Sequence, residues 1–109
     1  MLPRHNRISK AEIPELLRHG KRVRCGIIDL VAAPAHGVSQ FAFIVSSGVD
    51  KRATVRNRMK RVLRESVRLL LPSVRSKKQV VFIARAKLPR EAMKNQALVR
   101  DALAKAEML

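Results

Sequence analysis

The chain has 109 residues, with 24 Lys/Arg against 8 Asp/Glu and a formal net charge of +16. That length supports one modest core rather than two domains, and that charge selects polyanionic partners, bound through their phosphates by counterion release. No apolar run approaches the roughly 18 residues of a spanning helix, and no signal-peptide or lipidation pattern is visible, so no membrane partner is expected.

Residues 1–8 read as a flexible basic lead-in to a single domain covering 1–109. Ser9-Lys10-Ala11-Glu12 has the capping-box pattern, in which serine and glutamate each satisfy a free backbone amide. A short helix follows to about His19, with Ile13, Leu16 and Leu17 as its apolar side and Gly20 as its C-terminal stop. Residues 23–32 read as one strand. The single cysteine, Cys25, lies in it as a buried thiol with no disulfide partner, which fits a reducing, cytoplasmic compartment. Pro34, His36 and Gly37 make a turn, and residues 41–45 form a second strand that closes a hairpin with the first. A polar connector follows at 46–50, with a short extra strand near 49–53.

The segment 51–68 carries eight Lys/Arg and one acid, yet it keeps a helical apolar stripe. At about 100° per residue, Val55, Met59, Val62, Leu63, Ser66 and Leu70 share one side. Asn57, Lys60, Arg61, Arg64 and Arg68 lie opposite, with Arg56 at the edge, while Arg58 and Glu65 share a flank. Arg56, Lys60 and Arg64 repel at i, i+4 spacing, a repulsion that a bound polyanion relieves. Pro72 ends the helix. A loop at 72–78 leads to a buried strand at 79–84. Pro89 then opens a last helix, with Met93, Ala97, Leu98, Leu103 and Ala104 on its apolar face. The order describes a small α+β sandwich, one sheet with helices packed on it.

Chemistry by protein side chains is not expected. The eight acids are scattered over different elements without metal-ligand spacing, and His5, His19 and His36 sit in a tail, a helix end and a turn without a cysteine partner. A DNA-reading module would need a second helix one turn away from the basic one, where this chain has connectors to strands. A ribosomal or other structural RNA-binding protein would share the charge and size, and remains the alternative on these grounds.

The block Arg56-Asn57-Arg58-Met59-Lys60-Arg61-Val62-Leu63-Arg64-Glu65 separates the two. It resembles the Arg-Asn-Arg motif of the bacterial ribonuclease P protein family, with Ala53 and Thr54-Val55 aligned ahead of it. Leu2-Pro3 with Asn6-Arg7-Ile8, then His19-Gly20-Lys21, Phe43-x-Val45-Ser46 and Val80-Val81-Phe82-Ile83-Ala84-Arg85 resemble further family segments in the same order. The resemblance implies an α-β-β-β-α-β-α two-layer sandwich with the basic helix in a ribosomal-protein-like left-handed β-α-β crossover, against the general right-handed rule. It also implies the protein subunit of a ribonucleoprotein endonuclease, a hydrolase of tRNA processing. There the RNA subunit holds the catalytic site and most of the Mg2+, and no protein side chain is catalytic.

On this resemblance, RNA contacts are expected from Arg52, Arg56, Asn57, Arg58, Lys60, Arg61, Arg64 and Arg68. The precursor tRNA 5′ leader is expected in a cleft between the first helix and the sheet, against Ile13, Leu17, Phe43 and Lys51. Neither a metal held by the protein nor an obligate protein partner is expected. Two positions depart from the family pattern. Ile13 and Leu17 stand where phenylalanines are usual, so base stacking from that helix is expected to be weaker. Ser46-Ser47-Gly48 replaces paired lysines. Phe41 and Phe43 are expected on opposite faces of their strand, Phe41 and Phe82 in the core and Phe43 toward the cleft.

Overall fold

The computed structural model describes residues 2–109. In it, α1 spans Ile13–His19, β1 Lys21–Cys25, β2 Ile28–Pro34, β3 Gln40–Val45, α2 Ala53–Leu70, β4 Lys78–Ala84 and α3 Ala92–Lys105. The strands form one sheet in the order β1-β2-β4-β3. β2 is antiparallel to both β1 and β4, and β3 runs parallel to β4. The mixed α+β architecture and its α-β-β-β-α-β-α order are as expected, but the strands are drawn from different residues.

The run 23–32 is two strands, not one. Gly26 adopts φ 60°, a conformation glycine takes at little cost, and Cys25 faces Ile28 across a two-residue turn. The first hairpin is therefore β1–β2. β3 does not pair with β2, because β4 inserts between them. Both β3 and β4 carry apolar residues on each face, the pattern of strands covered on both sides. α2 is the crossover that joins these parallel neighbours. The short strand expected near 49–53 is a turn at 47–49, closed by Val49 N–H donating to Ser46 O at 3.1 Å.

Register sorts the side chains into two faces, since strand side chains alternate with period two. The rows Lys21–Ala32–Val80–Phe41 and Val23–Leu30–Phe82–Phe43 belong to the side carrying α2 and α3. There Leu63, Val67 and Leu70 of α2 and Val99, Ala102 and Leu103 of α3 form the main core with Ile28, Leu30, Phe41 and Phe82. The rows Arg22–Val31–Val81–Ala42 and Arg24–Asp29–Ile83–Ile44 face α1, where Ile8, Leu16, Ala42 and Val81 form a smaller cluster.

On α2 the buried side is Met59, Leu63, Ser66, Val67 and Leu70, with Val55 and Val62 half-buried. The stripe is thus turned slightly toward Val67 relative to the expected arc. α3 starts at Ala92, three residues beyond Pro89. Its inward side is Asn95, Val99, Ala102 and Leu103, a set at i, i+4, i+7 and i+8. Met93 is 85% exposed, and Ala97 and Ala104 are also exposed, so three of the five residues expected inside lie outside.

Residues 2–8, expected to be a flexible lead-in, are packed. Leu2, Asn6 and Ile8 are buried, Asn6 Nδ2 donates to Ser39 O at 2.8 Å, and Ile8 N–H donates to Phe41 O at 3.0 Å. Met1 lies outside the described residues. The capping box does not form, since neither side chain reaches a backbone amide. Ser9 Oγ meets Glu12 Oε1 at 3.2 Å over a 3-10 turn at Lys10–Glu12, and Glu12 Oε2 accepts from Gln79 Nε2 at 2.6 Å.

Gly20 ends α1, but not through a left-handed backbone, since its φ is −72° and ψ 156°. It is required by proximity: a Cβ there would stand 2.5 Å from Val31 Cγ1 and 2.6 Å from Leu16 O. We therefore expect Gly20→Ala to destabilise the protein by about 1–3 kcal/mol, as overpacking does. Urea denaturation measures it, and an unchanged midpoint would contradict this close packing of α1 on β2.

Candidate nucleic-acid interface

Because the apolar side of α2 is locked into the core, its polar arc is forced outward. Asn57, Arg58 and Arg61 are exposed, and Lys60, Arg64 and Arg68 are half-buried. The arc is also organised. Arg52, the N-cap, donates its backbone N–H (2.9 Å) and Nε (3.1 Å) to Asp50 Oδ1 and Nη2 to Oδ2 (3.0 Å). Lys87 Nζ stands 3.4 Å from the same Oδ2. The Arg52 hydrogen bonds hold the Asp50 carboxyl well below the usual carboxylate range, and the same pairing raises the Arg52 guanidinium.

Arg56 turns back on the start of its own helix, with Nη1 donating to Asp50 O at 2.9 Å and Lys51 O at 2.8 Å. Arg64 lies 5.7 Å from the centroid of the Phe43 ring, a cation–π contact, and Phe43 in turn stacks on Phe82 with centroids 5.5 Å apart. Arg68 makes a two-point pair with Glu65 at 2.9 and 2.5 Å, which lowers the Glu65 carboxyl and raises Arg68. Arg56 and Arg64 are thus each tied down beside Lys60, which tempers the like-charge series at i, i+4 spacing. Arg7, not foreseen as a site residue, joins Arg61, Arg64 and Glu65 around a hollow of about 490 Å³. Its Nε and Nη2 are fixed on Leu2 O at 3.1 and 2.9 Å.

The expected cleft residues do not converge. Ile13 packs with Leu16, Ala42, Val81 and Ile83 on the α1 face, and Leu17 on the same helix is 37% exposed. Phe43 is on the other face. Residues two apart in a strand point the same way, so Phe41 and Phe43 lie together, both against Phe82. Lys51 is exposed just ahead of α2, its carbonyl accepting from Arg56.

What the α1 face offers instead is half-buried Ile44 and Ile83 beside a cluster built on Asp29, which is only 2% exposed. Arg85 Nε is 3.0 Å, Arg22 Nη1 3.4 Å and Arg24 Nε 3.7 Å from its carboxylate oxygens. Three guanidiniums around one buried carboxylate leave a net positive, fixed surface next to an apolar floor. The alternation in Lys21-Arg22-Val23-Arg24-Cys25 was the sequence signal that puts Arg22 and Arg24 on one face.

Two further acids, Glu15 and Glu91, are likewise paired with cations rather than with each other. Glu15 meets Arg18 at 3.7 Å and His19 at 3.1 Å, and Glu91 meets Lys94 at 3.2 Å. Among the described residues no three His, Cys, Asp or Glu side chains come together as a metal site. Nor is any helix long and apolar enough to cross a membrane. Cys25 is half-buried against the main core.

A ribonuclease P family model matches residues 2–107. The ribonuclease P protein component of Roseiflexus sp. (strain RS-1) is 37% identical over 95 residues, 84% of this chain and 77% of that protein. The ribonuclease P protein component of Roseiflexus castenholzii is 41% identical over 70 residues, 63% of this chain and 57% of that protein. The fold is similar to the RNase P protein of Staphylococcus aureus in a mutant form, with a TM-score of 0.84 at 20% identity, over 96% of this chain and 91% of that one. It is also similar to the RNase P protein of Thermotoga maritima, with a TM-score of 0.79 at 19% identity, over 89% and 94%. With the family model covering nearly the whole chain and an architecture shared from end to end, this chain belongs to the ribonuclease P protein family.

Proposed function

We propose that this protein is the RNA-docking subunit of a cytoplasmic ribonuclease P, assisting removal of the 5′ leader from precursor tRNA. The observation that carries the reading is the two-sidedness of α2: a core-locked apolar side and an outward arc of Arg and Lys. Such an arc meets phosphate and sugar, which positions an RNA without reading its sequence. Arg61 and Arg64, with Arg7 beside them, form its densest part. In this reading the RNA partner supplies the cleavage chemistry and holds the divalent metal, since Asp29, Asp50 and Glu65 are each engaged by this chain's own arginines and the acids do not gather into a metal site among the described residues. No membrane and no obligate protein partner enters the assembly.

The leader lies on the α1 face of the sheet. Ile44 and Ile83 give it an apolar floor, and Arg22, Arg24 and Arg85, held by Asp29, meet its phosphates. No aromatic ring faces this cleft among the described residues, because Phe41, Phe43 and Phe82 all pack on the other side. Leader binding therefore rests on charge more than on base stacking, and salt weakens it steeply.

Combining Arg61→Ala with Arg64→Ala is expected to weaken binding of a ribonuclease P RNA and to lower the slope of log affinity against log salt by about 1–2, at roughly 0.7–0.9 per phosphate lost. A folded double variant with the wild-type slope would sink the assignment of α2. A photoreactive nucleotide in the leader should label Ile44 or Ile83 and spare Phe43, with peptide mapping of the adduct as the readout. Labelling confined to Phe43 would place the leader on the wrong face for this account. Phe43→Ala is expected to leave leader affinity in place while weakening RNA docking, because it removes the ring under Arg64.

A further inference from the structure

A groove of about 550 Å³ runs between the outer flank of α2 and residues 87–90. Its floor is apolar, made by Val55, Met59 and Val62 of the helix and by Leu88 and Pro89 across from them. Its rim is cationic, with Arg52 and Arg58 on one side and Lys87 and Arg90 on the other. No carboxylate lines it. Asp50 stands behind the rim and is shared by Arg52 at 3.0 Å and Lys87 at 3.4 Å, which ties the two walls together. Arg58 and Arg90 have no acidic partner among the described residues.

Both walls are braced from behind. Met59 is buried with Val45 and Ala84, and Leu88 packs on the same cluster. The 87–90 segment is held by Asn95, itself 2% exposed, whose Nδ2 donates to Pro89 O at 2.6 Å and Glu91 O at 3.2 Å. The groove is thus a preformed slot with an apolar bottom and positive edges, and its volume lies within the range of small-ligand sites.

We propose that this groove is a second RNA site, taking a nucleotide of single-stranded RNA with its base on the apolar floor and its flanking phosphates on the rim. The proposal rests on the reading of α2 as an RNA-binding helix and extends the contact around its flank. Continuity with the outward arc of α2 favours RNA over an acidic protein segment. Arg58 lies one turn from Arg61, so the rim continues the outward arc. Three of the four rim cations are arginines, whose planar fork can hold the phosphate oxygens two at a time, as it can a carboxylate.

The full-length protein, labelled with 13C at its methionine methyl groups, is titrated with single-stranded pentaadenylate while the Met59 resonance is followed. Met59 should shift saturably, and Lys87→Ala combined with Arg90→Ala, two exposed positions outside the polar arc, should weaken that response about tenfold, the scale of two lost phosphate contacts. A glutamate-rich peptide of matched charge should leave Met59 unmoved. The proposal is overturned if Met59 does not respond to the oligonucleotide, if the peptide shifts it equally, or if the double variant binds like wild type. Ribonuclease P RNA affinity, measured in parallel for Arg61→Ala with Arg64→Ala, separates the two ideas. Loss of affinity there with a silent groove refutes the groove alone, whereas wild-type affinity there refutes the RNA-docking reading beneath it.

Discussion

Leu63, Val67 and Leu70 hold α2 against the sheet and against α3, and that contact decides what the other side of the helix can do. Burying three such side chains is worth about 5–9 kcal/mol, an upper estimate because an unfolded chain already hides some of that surface. Like-charge repulsion along the helix costs only about 0.2–0.5 kcal/mol per i, i+4 pair. Core packing therefore wins by a wide margin. The helix can carry Arg56, Lys60 and Arg64 one turn apart without melting, and it presents them as a fixed array. What a free peptide of this sequence would resist, the fold imposes.

The same logic runs through the smaller contacts. Asp50 organises Arg52 and Lys87, Asp29 organises Arg22, Arg24 and Arg85, and Glu65 organises Arg68. In each case an acid is spent on setting the direction of a cation. A protein with 8 acids and 24 basic side chains that uses its carboxylates in this way has few left over for proton transfer or metal ligation. In the proposed function its contribution to a reaction is placement: it would set where an RNA backbone lies and neutralise phosphates that otherwise repel one another. Such placement fits membership of the ribonuclease P protein family, to which the protein components of the two Roseiflexus relatives belong.

Much of the main helix was legible in the residues, because a period of 3.6 with charge on one side has a single solution. Met59, Leu63 and Leu70 went in and Asn57 and Arg61 came out as the wheel required. Topology was less legible. Sequence neighbours usually pair, and nothing local to residues 41–45 shows that β4, which begins at Lys78, takes the place beside β2. The break at Gly26 was hidden inside an unbroken apolar run.

The misplacement of Phe43 had a different origin. Two-residue spacing in a strand keeps side chains on one face, so Phe43 had to follow Phe41 to the main-core side, where it lies under Arg64. The Asp29 cluster and Arg7 could not be seen from spacing alone, because their partners are brought together by strand register and by the packed N-terminal segment. On α3, Met93 looked like core and is solvent-facing, while buried Asn95 did not look like core at all.

The central claim is that this chain positions RNA and that the RNA does the cutting. The most direct test mixes the purified protein with a bacterial ribonuclease P RNA and a precursor tRNA at a magnesium concentration too low for the RNA alone. The account predicts cleavage at the mature 5′ end only when both are present, and none with protein and substrate by themselves. Leader removal by the protein without the RNA, or no stimulation when the RNA is supplied, would contradict it.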